Sequence, residues 1–338
     1  APAAPGAPAT PPVPAARHDG RVIPDLPLPL ELLRITDSDL RWTIGELRSG
    51  GVTLRDTAAH AEIRDGHGRL DPFTTSLPGG RLSLRVAADV TTTPPSLQVA
   101  AQSEGIDLPP LLAALHTPGG TAGRVELDLD LRGQGRDLRA VAATATGHLG
   151  LALTHGQVES GSGSLLGQAL GDLRRAVPQL GALAEGRVTV ACAATRWRAE
   201  AGIARAEALL LDGSLGKVGG GGQVNLRDET LALRLQLDLR LPIPGVSQLR
   251  IRAPLPVGGT LANPRPDYGP AVTRGALGTA EGLIQIPGNL AGDILGALGG
   301  NGAALTNGLP DCGPALAAAR GGRAGPVPEP AAGPPAAA

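Results

Sequence analysis

Histidine is the side chain most often recruited to hold a metal or move a proton near neutral pH. Six occur here, at His18, His60, His67, His116, His148 and His155. None falls into the HExxH spacing that places two imidazoles on one helix face, so they are expected on surfaces and in turns with no metal bound. Cys192 and Cys312 are the only cysteines, too few and too far apart for a structural zinc site. Glu126, Asp128 and Asp130 form an acidic ladder of the kind calcium would use. Alternate residues of a strand share one side, however, and a solvated polar face is the simpler expectation. "LDGSLGKVGGGG" contains the Gly-Lys pair of a phosphate loop, but Leu211 stands where the first glycine belongs and Val218 replaces the hydroxyl residue. A glycine turn between strands is expected there. "RGQGRDL" lacks the third glycine of a dinucleotide fingerprint, and Gly161 to Ser164 does not satisfy the GxSxG nucleophile pattern. No catalytic group stands out, and the chain is expected to be no enzyme and to carry no cofactor.

What the sequence repeats instead is an apolar side chain at every second position, the mark of half-buried antiparallel strands. The clearest run has Leu231, Leu233, Leu235, Leu237, Leu239 and Leu241 on one face, with Ala232, Arg234, Gln236, Asp238 and Arg240 on the other. Leu127, Leu129 and Leu131 alternate in the same way with the acidic ladder. Further sets are Leu82, Leu84 and Val86, then Leu149, Leu151 and Leu153, then Val188 and Val190, then Leu249 and Ile251. Gly-rich turns separate them at Leu77 to Gly80, Asp212 to Gly216 and Gly219 to Gly222. Helices are predicted from Asp107 through Leu115, with Pro109 and Pro110 tolerated in the first turn, and from Ser164 to Val177, stopped by Pro178. Asp137 to Ala143 supports one more turn. The predicted fold is mainly β with a few short helices, a long antiparallel sheet that curls to form an apolar groove.

Composition limits what such a face can do. Of 338 residues, 42% are hydrophobic, enough to bury a core, yet the large rings are only Trp42, Phe73, Trp197 and Tyr268. Any interior must be built from aliphatic side chains. A formal net charge of -1, with Lys217 the sole lysine, provides no basic face, so no nucleic-acid partner is expected. The chain contains no methionine, as expected of a processed piece or excerpt, and a membrane anchor is free to lie upstream of Ala1. The stretch from Gly275 to Leu305 is interrupted by Glu281, Pro287 and Asp293 and does not read as a membrane span. The organisation read from composition is a Pro/Ala-rich linker at 1–20, a β-groove domain at 21–268, a Gly/Ala-rich helical segment at 269–320 and a disordered Pro/Ala tail at 321–338.

Three runs resemble one known family. "VIPDLPLPLELLRITDSDLRW" at Val22 to Trp42, with "GVTLRDTAAHAEIRDGHGRLDPF" after it, looks like the opening of the AsmA C-terminal region. "LHTPGGTAGRVELDLDLRGQGRDLRAVAATATGHLGLALTHGQV" at Leu115 to Val158 is similar to its central segment. "GGGGQVNLRDETLALRL" and "APLPVGGTLANPRPDY" resemble its closing strands. The likeness covers about Arg21 to Tyr268, in the family's order. It implies a periplasmic protein of a Gram-negative bacterium, attached to the inner membrane through an N-terminal anchor missing here. The implied role is outer-membrane biogenesis through phospholipid transport between the two membranes, with phospholipid or another envelope lipid as partner. Under that reading the even-spaced leucines and valines named above line the lipid groove. The alternative is a structural or assembly factor, acting with envelope proteins and regulating protein targeting to the membrane, whose apolar face is a closed core. Two cysteines in a family of the oxidising periplasm further imply a disulfide between Cys192 and Cys312; the competing reading leaves Cys192 a buried hydrophobe, at the parity of Val188 and Val190, and Cys312 free.

Overall fold

The alternating runs become strands of a single sheet. The computed structural model describes residues 20–49, 52–114, 121–159, 187–243, 246–267 and 309–328. The helix predicted from Ser164 to Val177 and the stretch from Gly275 to Leu305 lie outside them. In chain order the strands are β1 (Ser38–Ser49), β2 (Val52–Arg64), β3 (His67–Leu77), β4 (Gly80–Asp89), β5 (Ser96–Ser103), β6 (Ile106–Asp107) and β7 (Thr121–Gln134). They continue as β8 (Thr146–Glu159), β9 (Arg187–Glu200), β10 (Ile203–Gly213), β11 (Gly216–Asn225), β12 (Thr230–Ile243), β13 (Val246–Gly259) and β14 (Pro264–Pro266). Each pairs antiparallel with its neighbours in sequence, except that β6 shares β7 with β5. The sheet is open, with β1 and β14 at its edges. Twist accumulated over so many strands curls it.

Hairpin chemistry explains the up-and-down order. Asp65 and Gly66 join β2 to β3, and Ala201 and Gly202 join β9 to β10; both residues of each pair have positive φ, as a two-residue turn that matches strand twist requires. Side chains on one strand then meet those of the same parity on the next. Leu235 lies opposite Leu255 and Gly220, Leu151 opposite Leu127, Leu84 opposite Ala101 and Phe73. One face is therefore aliphatic across the whole sheet, and the other carries the charges.

Among the described residues four short helices accompany the sheet: α1 (Leu32–Ile35), α2 (Leu108–Ala114), α3 (Leu138–Ala143) and α4 (Cys312–Ala319). The Asp137 side chain caps α3, accepting from Ala140 N at 2.8 Å. α2 follows β6 and approaches both β7 and β2, four places apart in the sheet, as a curled sheet allows.

The charged face is not simply solvated, which corrects the expectation for the acidic ladder. α4 lies across β8, β9 and β10 on that side. Ala315, Leu316 and Ala319 form a cluster there with Ala152, Cys192, Ala194 and Leu210, and Leu316 is fully buried. Asp128 is buried beneath this cover, paired with Arg196 and accepting from Gln102. Glu126 takes a two-pronged bond from Arg320, at 2.6 and 2.7 Å. Residues 321–328, placed by composition in the tail, adjoin this cover: Arg323 donates to Leu127 O at 3.2 Å and Arg320 to Pro326 O at 2.9 Å.

Cys192 and Cys312 are joined in a disulfide, with Cα atoms 6.0 Å apart. Cys192 does not share the side of Val188 and Val190, contrary to simple parity. The register slips between Asp212 and Gly213 along β9–β10 and between Ala122 and Arg124 along β7–β8, where His155 has φ 53°. The extra residue in β8 and in β9 turns the strand over, so Val188 and Val190 look to the aliphatic face and Cys192 and Ala194 to α4.

The start of α4 is held by Lys217, whose ammonium donates to Asp311 at 2.9 Å. That bond lowers the Asp311 carboxyl below its ordinary value and raises Lys217 above its own. The contribution of Asp311 is thus whole above the ordinary carboxylate range and lost as pH falls through its depressed value. The contribution of Lys217 is whole below its ordinary value and lost as pH climbs through its raised one. Amide exchange in α4 is expected to quicken at both extremes in wild-type protein, and Lys217→Gln should flatten this dependence; an identical pH profile in the variant would refute the assignment.

Candidate functional site

Sixteen of the aliphatic residues singled out in the sequence, those of β4, β7, β8 and β9 and Leu231 through Leu239 of β12, fall on one face. Register carries the parity from Leu82, Leu84 and Val86 on β4, through Ala101 and Val99 on β5, to Leu127, Leu129 and Leu131 on β7. From there it passes to Leu149, Leu151 and Leu153 on β8, to Trp197 and Ala193 on β9, and finally to Leu231 through Leu239 on β12. Val188 and Val190 join the same face only because of the bulge. On the opposite side of β12, Arg234 and Arg240 are exposed and Asp238 pairs with Arg252 at 3.3 Å.

The face is filled unevenly. Across β9–β13 it packs against itself: Leu237, Leu239 and Leu255 form one cluster, and Ala199, Ala204, Val224 and Leu231 another, with Trp197, Leu131 and Leu261 against it. Val188 and Val190 are buried as well. Between β4 and β8 the same aliphatic side chains are only half-buried, namely Leu82, Leu84, Val86, Leu127, Leu129, Leu131, Leu149 and Leu153, and Leu151 is 37% exposed. Leu233 and Leu235 on β12 are also half-buried. A face that leaves methyl groups of neighbouring strands in contact with water offers dispersion contact and area to an apolar guest. Among the described residues no cluster of histidine, cysteine or carboxylate side chains could hold a metal.

One part of this region was not read from the sequence. Residues 20–37 run along one end of the sheet before entering β1. Glu229, in the β11–β12 turn and only 1% exposed, accepts from Val22 N at 2.7 Å, Ile23 N at 3.0 Å and Arg21 Nε at 3.2 Å. The chain then passes α3, where Leu28 N donates to Arg136 O, Leu138 N to Leu26 O and Arg139 Nε to Ile23 O. It reaches β3, where Leu33 covers Gly68, and Arg34 bonds to Val90 O. The signal was present in "VIPDLPLPL": Ile23, Leu26, Leu28 and Leu30 are half-buried while Pro24, Pro27 and Pro29 are exposed, the pattern of an extended segment with one inward side.

Fold and site together define an open antiparallel β protein with one aliphatic and one charged face. The model of the AsmA family matches residues 15–209, more than half of the chain, and the chain belongs to that family. It is 24% identical over 272 residues to the AsmA family protein YhjG of Escherichia coli strain K12, an alignment covering 79% of this chain and 38% of that protein. The chain thus spans well under half the length of this relative. No solved structure matches it. Membership associates the protein with the bacterial envelope and, in general terms, with outer-membrane biogenesis. Among the described residues, no helix is long and apolar enough to cross a membrane.

Proposed function

We propose that the aliphatic face carries acyl chains, and that the protein takes part in phospholipid transport between the inner and outer membranes as a non-enzymatic component. The observation that supports this most is the row of half-buried leucines over β4–β8, on a face whose other half is packed. Moving a two-chain lipid from bilayer to water costs about 0.8 kcal/mol per methylene, on the order of 20 kcal/mol or more in all. An aliphatic trough lowers that barrier because its lining resembles the tails, and its affinity can stay small because little is gained relative to the bilayer. Family membership supports an envelope setting, and the proposed one is the periplasm of a Gram-negative bacterium with attachment to the inner membrane through an N-terminal anchor.

A photo-crosslinking residue at Leu151, the most exposed of the set, is expected to yield lipid adducts detectable by mass analysis. Leu235→Asp should then reduce lipid crosslinking and weaken the envelope, since desolvating a carboxylate against apolar contacts costs well above the roughly 1–3 kcal/mol of an unpaired neutral polar group. Unchanged crosslinking and envelope integrity in a folded Leu235→Asp protein would sink the lipid reading. The packed clusters of β9–β13 favour a second reading, an assembly factor that regulates protein targeting and whose aliphatic face is a core. Under it Leu151 gives no lipid adduct.

A further inference from the structure

We propose that Arg21 to Thr36, seated on α3, forms a floor that closes one end of the aliphatic trough, and that Glu229 is the latch that fastens it. Acyl chains would lie with their methyl ends toward this floor and the headgroup away from it, so that lipid does not pass through this end. The inference rests on the lipid reading.

Three features place the floor on the aliphatic side rather than merely at the rim. Gly68 has the parity of Ile63 and Ala88, and a Cβ there would lie 2.7 Å from Leu33 Cδ2, so Leu33 fills the space its missing side chain leaves. Gly133 has the parity of Leu131, and the backbone of Val141 in α3 occupies the position of its absent Cβ. Pro27 bridges to Asp137, joining segment and helix into one layer. The wall just above is also filled, by the cluster of Leu131, Trp197, Ala199, Leu226 and Leu261. At the far end α2 reaches from β7 to β2.

The latch is built for tenure. A buried carboxylate needs strong donors, and Glu229 has two main-chain amides and a guanidinium, whose other nitrogen reaches Arg227 O. The Glu229 carbonyl also accepts from Leu261 N at 2.9 Å, which ties the latch to the β13–β14 turn. Of the four described hydrogen bonds that hold Arg21 to Ile23 to the β11–β12 turn, three end on the Glu229 carboxylate, and a headgroup, needing water, has no place beneath a layer fastened in this way.

Two measurements test this on the whole chain. In a Trp42→Phe background, Trp197 reports from beside the floor, and phosphatidylcholine vesicles brominated either near the acyl methyl end or near the carbonyl serve as quenchers. Quenching is expected to be stronger from the methyl-end label, and Glu229→Ala should reduce that preference. Trypsin should cut after Arg34 about tenfold faster in Glu229→Ala, because loss of charge-assisted bonds raises the population of the opened segment. Glu229→Gln should fall between, which keeps the test available if the alanine variant folds poorly. Equal quenching by the two labels overturns the closed end and leaves lipid binding standing. Quenching by neither label removes lipid from the face and the proposal with it, and unchanged cleavage in both variants rejects Glu229 as the latch.

Discussion

Arg320→Ala is expected to destabilise the protein by about 3 kcal/mol and to loosen α4 from the sheet. The guanidinium is 2% exposed and answers the Glu126 carboxylate with two parallel bonds, while a third reaches Pro326 O. Removing it leaves Glu126 covered by the C-terminal segment with its charge uncompensated, which costs more than the pair itself contributes. Arg320→Lys should recover only part of the loss, since an ammonium cannot reproduce the planar fork. Urea unfolding of the three proteins measures the differences. A loss below about 1 kcal/mol would mean that the pair behaves as an exposed ion pair and that α4 is held by its apolar side alone.

Breaking the disulfide should have a larger effect on global stability. Cys192 and Cys312 are separated by 120 positions, and a cross-link of that span removes about 4–5 kcal/mol of unfolded-state entropy in the simple chain model, with measured gains often smaller. The double variant Cys192→Ser and Cys312→Ser, or wild type with reductant, is expected to unfold at clearly lower denaturant. α4 has only two turns, too few to be stable alone, so its docking should suffer first. Hydrogen exchange separates the two effects: protection lost from α4 alone means the bond holds only this helix, and protection lost over β8–β10 as well means it supports the sheet. Thiol counting in denaturant provides a direct check, because two reactive thiols in unreduced protein contradict the pairing.

The sheet was legible because period-two alternation survives in almost every strand. The leucines of β12 and the acidic ladder of β7 announce both strand and facing, and the aliphatic face is their sum. Two kinds of information were not legible. Bulges at His155 and Ala191 carry no compositional mark, so simple parity placed Cys192 beside Val188 and Val190 when it faces the opposite way. Contacts between distant segments were hidden as well. Nothing local in "LRDETL" says that Glu229 will meet residues more than 200 positions earlier, nor in "AAARGGR" that Arg320 will cover Glu126. The acidic ladder was read as solvated because its partners are distant in sequence, Gln102 and Arg196 for Asp128 and Arg320 for Glu126. Asp137, by contrast, found its capping role within three residues, and the helix there was read correctly.

The reversal at Ala191 also bears on how such a sheet can change over time. A strand that faces one way before the bulge and the other way after it serves two environments with one run of sequence. Val188 and Val190 answer to whatever touches the aliphatic side, whereas Cys192 and Ala194 answer to the C-terminal helix. Deleting one residue at the bulge would swap these audiences for every position on one side of it, while composition, charge and strand propensity stayed the same. Insertions and deletions in β8 and β9 are therefore changes of address rather than of content, and the two strands, being bulged side by side, can tolerate such a change only together.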